Sequence, residues 1–198
     1  MYISKFHIKP LINCFENKEK SNNNVSEVIG SLRKPDNITN IEKSYPKVLF
    51  DTIIDGDVYK VEVIFSKKII NKEVSIEISA NFHIEDKKIT DLSNKNQQFS
   101  VTSKIFYSIL KVISLLEDSF FKTNNIKFSA IKIVGVSREG KDNEKNNARL
   151  KLYSIYIKHI LNKIGKKVNT IKHFIDYGDL GFYMEVEPFT KEDIKSIL

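Results

Sequence analysis

A chain of 198 residues with 41% hydrophobic and 29% charged side chains has the composition of a soluble globular protein long enough to bury a substantial core. Its formal charge of +7 and isoelectric point near 9.2 make RNA, DNA or an acidic protein face candidate partners, although 25 acidic residues are interspersed with the basic ones. The lone cysteine, Cys14, excludes an intramolecular disulfide and a cysteine-rich metal site. No apolar run has the length of a membrane span and no signal-peptide pattern is present, so the expected location is the cytoplasm of a bacterial host, or the virion for a phage-encoded chain, with no membrane partner.

Residues 1–44 read as an N-terminal arm: a strand broken at Pro10, an apolar segment with Leu11, Ile12 and Phe15, an Asn/Lys-rich loop over 17–24, and a short helix over 25–34 ended by Pro35. Residues 45–198 read as the core domain. Val48–Ile54 and Val58–Phe65 flank Asp55-Gly56-Asp57, a hairpin signal because glycine supplies the positive φ of a tight turn. Val74–Ile84 alternates with period two and makes a third antiparallel strand. Ile105, Ile109, Val112, Ile113 and Leu116 recur at helical spacing and predict a helix over 102–121.

A strand over 126–136 follows, and its apolar phase switches between Ala130 and Ile131, which predicts a central strand buried on both faces or a bulge. The loop 137–143 enters a second helix over 144–164, with Leu152, Tyr153, Tyr156, Ile157, Ile160 and Leu161 on its core face and Gly165 as its stop. Strands over 168–175 and 180–186 and a last helix over 191–198, capped by Thr190, complete the order β-β-β-α-β-α-β-β. That order predicts an α/β (α+β) fold: one mixed, largely antiparallel sheet with helices on both faces.

Lysine outnumbers arginine 29 to 3, so the arginines mark positions where a rigid fork matters. Arg138 and Arg149 bracket the glycine-containing loop. Together with Lys141 and Tyr153 they form the expected ligand- or partner-binding site, unless they merely brace the loop. Lys141, Lys145, Arg149, Lys166 and Lys167 form an alternative nucleic-acid-binding set, with Tyr153 or Tyr156 available for stacking. His7, His83, His159 and His173 are scattered, and no metal-ligand spacing appears. The arm, the loop at 20–24 and the edge strand of the hairpin are expected contact surfaces for a protein partner or for self-assembly.

The element order over about 45–187 resembles the GNAT N-acetyltransferase family. Asn146-Asn147-Ala148-Arg149-Leu150-Lys151-Leu152-Tyr153 is similar to that family's Asn-x-x-Ala-x-x-Leu-Tyr helix. The resemblance implies acetyl-coenzyme A as cofactor and Tyr153 as the general acid that protonates its sulfur. With Tyr153 in that role, Glu77 or Glu85 is the candidate base. The family's glycine-rich pyrophosphate loop corresponds to Leu92–Thr102, which contains no glycine. Ile126-Lys127-Phe128-Ser129-Ala130 followed by Arg149-x-x-Leu152-Tyr153 also resembles an uncharacterised domain of phage and bacterial proteins. A GNAT-like fold without its cofactor loop implies a non-catalytic binding or assembly protein, with nucleic-acid binding and acetyl transfer as alternatives.

Overall fold

The computed structural model describes residues 32–70, 72–84, 95–122, 125–135, 143–176 and 179–198, all within one compact unit spanning 32–198. Seven strands form one mixed sheet in the order β1-β2-β3-β4-β5-β7-β6. They are β1 (Asn37–Ser44), β2 (Lys47–Ile54), β3 (Asp57–Ile70), β4 (Glu73–Ile84), β5 (Phe128–Gly135), β6 (Val168–Asp176) and β7 (Asp179–Phe189). Among the described residues three helices accompany them: α1 (Lys95–Leu115), α2 (Asn143–Lys163) and the short α3 (Lys191–Lys195). All pairings are antiparallel except β4 with β5. No described helix is long and apolar enough to cross a membrane.

The hairpin signal at Asp55-Gly56 is a tight turn with φ of +53° and +82°, the primed geometry that matches strand twist. β3 and β4 pair from Tyr59↔Ile84 to Ile70↔Glu73, so this hairpin extends beyond the alternation that predicts it. β2 is not an edge, as the hairpin pattern implies, because β1 covers it. The spacing of Ile38 and Ile41 hides β1: the register slips between Thr39 and Glu42, and Asn40 sits at φ +51° inside the slip.

Opposed residues of paired strands share a face, so the register sorts the sheet. One face carries Phe50, Val61, Val63, Phe65, Ile78, Ala80, Ile133, Phe182 and Met184, all buried. The described residues place all three helices on this face, where the element order predicts helices on both. Phe65 meets Phe120, Phe121 and Phe128 with ring centroids 5.6, 5.8 and 6.5 Å apart, and Phe128 meets Phe189 at 5.4 Å. The other face is polar: Lys68 reaches Glu77 at 3.3 Å and bonds the Tyr183 hydroxyl. The phase switch in β5 is a bulge in a central strand, for the register against β7 shifts between Phe128 and Ala130.

Helix ends are fixed by specific bonds. α1 stops at Leu115, short of the expected Phe121, and Lys191 at the start of α3 donates to the Leu116 carbonyl and to Asp118 at 3.2 Å. After α2, Gly165 takes φ +71° and Lys166 N–H returns to the Leu161 carbonyl at 2.9 Å, satisfying the helix end. Thr190 and Asp193 exchange side-chain and backbone bonds as a capping box for α3.

Helix α1 is pinned to β2 by a buried polar pair. Ser108 donates its hydroxyl to the Lys104 carbonyl at 2.8 Å, so Thr52 donates to Ser108 at 2.7 Å, both side chains being fully buried. Ser108→Ala is expected to leave the buried Thr52 hydroxyl with only its long bond to the Asn37 carbonyl at 3.5 Å and to lower unfolding stability by about 1–3 kcal/mol. Adding Thr52→Val should recover most of that loss, and urea denaturation of the two singles and the double measures it as a coupling energy.

Candidate functional site

Parallel strands need a crossover, and α1 supplies it between β4 and β5. Their pairing runs from Ile76↔Phe128 to Ala80↔Ile133 and stops there, although β4 continues to Ile84 and β5 to Gly135. Beyond that point each strand keeps only its outer neighbour: His83 and Ile84 pair with Lys60 and Tyr59 of β3, while Val134 and Gly135 pair with Gly181 and Leu180 of β7. The sheet is therefore split at the carboxyl ends of its one parallel pair among the described strands. That is the position where open α/β sheets take ligands.

Aromatic side chains wall the helix side of this split. Phe82 is the next residue on that face after Ala80, and it meets the Tyr153 ring edge-on at 5.7 Å. Phe106 of α1 lies 6.1 Å from Tyr153 and stacks on Tyr156 at 5.6 Å with 20° between planes. Tyr153 is 8% exposed and Tyr156 2%. The Tyr156 hydroxyl donates to Ser103 at 2.6 Å, and the Arg33 backbone N–H donates to the same oxygen at 2.9 Å. One hydroxyl thus ties α1, α2 and the segment leading into β1.

Tyr59 borders the same region from β3. Burial pushes its phenol up to about 12, and the charges of Asp57 and Asp55 and the Tyr153 phenol add to the rise. Burial also raises the Tyr156 phenol, against the Ser103 bond and the Arg33 charge, which favour ionisation. At the rim Lys104 pairs with Asp55 at 2.6 Å.

Of the residues singled out by sequence, Tyr153 is at the split. Lys145 and Arg149 fall in the first two turns of α2, while Arg138, Lys141 and Glu85 lie outside the described residues. Glu77 projects from the opposite face of the sheet, where it pairs with Lys68 at 3.3 Å, so Glu77 and Tyr153 are not brought together. Lys166 and Lys167 follow the far end of α2, about 30 Å along the axis from its start. Lys166 is 3.7 Å from Asp193, and the Lys167 N–H bonds Glu187. The basic set is therefore divided between the two ends of one helix. Among the described residues no group of three or more His, Cys, Asp or Glu side chains can hold a metal ion.

Arg33, Phe82, Phe106 and Ser103 are site residues that pattern reading passes over. Phe106 falls at i, i+3 and i+7 with Ile109 and Ile113 and so reads as one more core residue of α1, and Ser103 and Arg33 acquire their role only through contacts 53 and 70 residues away. No protein-family model and no curated protein matches this chain.

The raised Tyr59 phenol has a defined pH signature. Below pH 10 both folded and unfolded states keep the proton, so this group adds no pH dependence; between pH 10 and 12 the unfolded chain ionises first and stability falls. The expected share is about 2 kcal/mol over that window. Alkaline urea titrations of the native protein and Tyr59→Phe should differ by that amount, with no difference in slope below pH 9.

Proposed function

We propose that this chain is a non-catalytic binding or assembly protein on a GNAT-like fold, of the kind found in phage and bacterial proteins, which engages its ligand or partner at the split between β4 and β5. The sheet order, the single parallel pair and the helices following β4 and β5 support the fold resemblance. The absence of glycine from Leu92–Thr102 weighs against a pyrophosphate cradle.

One observation carries the non-catalytic reading. Among the described residues, the acid candidate carried by the resemblance, Tyr153, is buried between Phe82 and Phe106, whereas Glu77, one of the two candidate bases, lies across the sheet in an ion pair with Lys68. General acid–base transfer requires both groups within hydrogen-bond reach of one reacting centre. Walls of aromatic rings instead favour contact with an apolar or flat surface. Division of the lysines between the ends of α2 makes a continuous phosphate track the weaker alternative.

Incubation with acetyl-coenzyme A and a panel of primary amines should release no free thiol above the buffer rate. Sedimentation should show a mass that rises with protein concentration and is unchanged by nuclease. Thiol release that drops at least tenfold in Tyr153→Phe would establish acetyl transfer and overturn the reading.

A further inference from the structure

The β3–β4 hairpin outruns the sheet that carries it. Pairing of β3 with β2 ends at Lys47↔Ile64, after which the Phe65 N–H still reaches the Pro46 carbonyl. Pairing of β4 with β5 begins only at Ile76↔Phe128. The pairs Lys68↔Ser75, Ile69↔Val74 and Ile70↔Glu73 therefore have no described strand on either side, and they project about 10 Å as a two-stranded arm. Its root is held, because Ser75 bonds Ser129 at 2.6 Å and Lys68 reaches Glu77 at 3.3 Å. The arm stands at the amino end of β4, opposite the split.

Opposed residues share a face, so Ile69 and Val74 stand on the side that carries Phe65 and Ile78. No described helix covers them there: Val74 is 58% exposed, and Ile69, at 70%, is the most exposed large hydrophobic residue among those described. Lys67 is exposed on the same face, and Lys72 is exposed at the turn. Lys72 takes φ +68°, the left-handed region where a hairpin turn favours glycine or asparagine, so a lysine sits there against its backbone preference. The carboxylates of the arm do not offset these charges. Glu73 lies on the opposite face, 3.6 Å from Lys127, and Glu77 is paired with Lys68. Among the described residues neither Lys67 nor Lys72 has an ion-pair partner.

An exposed aliphatic pair flanked by free cations fits a partner that is anionic at its rim and apolar within. A second copy of the arm would set Lys67 and Lys72 against their own counterparts. A bilayer surface favours aromatic anchors, and Ser66–Ser75 contains none. The major groove of B-form DNA, about 12 Å wide, admits a two-stranded ribbon between two rows of phosphates, and thymine methyls offer apolar contact on its floor.

We infer that the β3–β4 arm enters the major groove of duplex DNA, with Lys67 and Lys72 on phosphates and Ile69 and Val74 against base edges. This surface is separate from the split and from the lysines of α2, and the inference does not rest on the non-catalytic reading.

Fluorescence anisotropy of a labelled DNA duplex of about 20 base pairs, titrated with the full chain, tests it. Binding should saturate with a dissociation constant on the order of 1 to 100 μM and weaken steeply between about 50 and 200 mM salt. Lys67→Gln with Lys72→Gln should lower affinity roughly tenfold and make the slope of log affinity against log salt shallower by about 2. Ile69→Ser with Val74→Ser should lower affinity roughly fivefold with that slope unchanged, the mark of an apolar contact. All four side chains are exposed, so Tm should hold in both variants. Duplex RNA of the same sequence should bind roughly tenfold more weakly, since side chains cannot read its deep, narrow major groove. No saturable binding of DNA, equal binding of RNA, or undiminished binding in either variant would overturn the inference. So would an arm variant that loses binding to phosphatidylserine vesicles, or loses self-association in sedimentation, while binding DNA unchanged.

Discussion

A sheet that is antiparallel throughout can be folded from hairpins, but one parallel pair cannot, and the β4–β5 pair governs the rest of this molecule. It forces α1 to cross between the two strands and to lie on one face with α2 and α3. Once Ala80↔Ile133 is passed, β4 follows β3 and β5 follows β7, so the hairpins on either side pull the centre apart. The aromatic-walled split is a consequence of that single strand pair, at its carboxyl end.

The rest of the core compensates for this central opening. Phe65, Phe121, Phe128 and Phe189 are each at most 4% exposed and meet near the amino end of β5, opposite the split. Burying each such ring contributes on the order of 2 kcal/mol. The bulge at Phe128 to Ala130 lets β5 direct Phe128 into this cluster and still place Ile131 and Ile133 under the helices. Polar ties are few and placed at joints: Thr52 with Ser108, Ser75 with Ser129 at 2.6 Å, and Tyr156 with Ser103.

Most elements were legible because their periodicity is local. Val74–Ile84 alternates without a break, and Asp55-Gly56 names its own turn. Strand β1 was not legible, since a left-handed Asn40 shifts its phase halfway along. The phase change in β5 was visible, but choosing between burial on both faces and a bulge needs the neighbouring registers, and these are long-range facts. Tyr153 emerged from its helical pattern, whereas Arg33 and Ser103 did not, because a serine in an apolar stripe and a residue whose contact is made by its backbone N–H carry no signal until distant elements meet. Facing is the other quantity that sequence withholds: Glu77 and Tyr153 are compatible as a pair until strand register puts the sheet between them.

The left-handed Asn40 has a further bearing, on how this sheet ends. An edge strand exposes a row of donors and acceptors that another strand can join, and growth by such joining is how folded sheets become fibrils. At β1 the row is broken in its middle, and Glu42 and Lys43 stand beside the break, so an incoming strand meets no register it can extend. At β6, the opposite edge, Thr170 to Asp176 run against β7 without interruption and Ile171 is exposed. Among the described residues the two edges thus differ: β1 is interrupted in mid-strand, whereas β6 runs on continuously after its own irregularity between Val168 and Thr170.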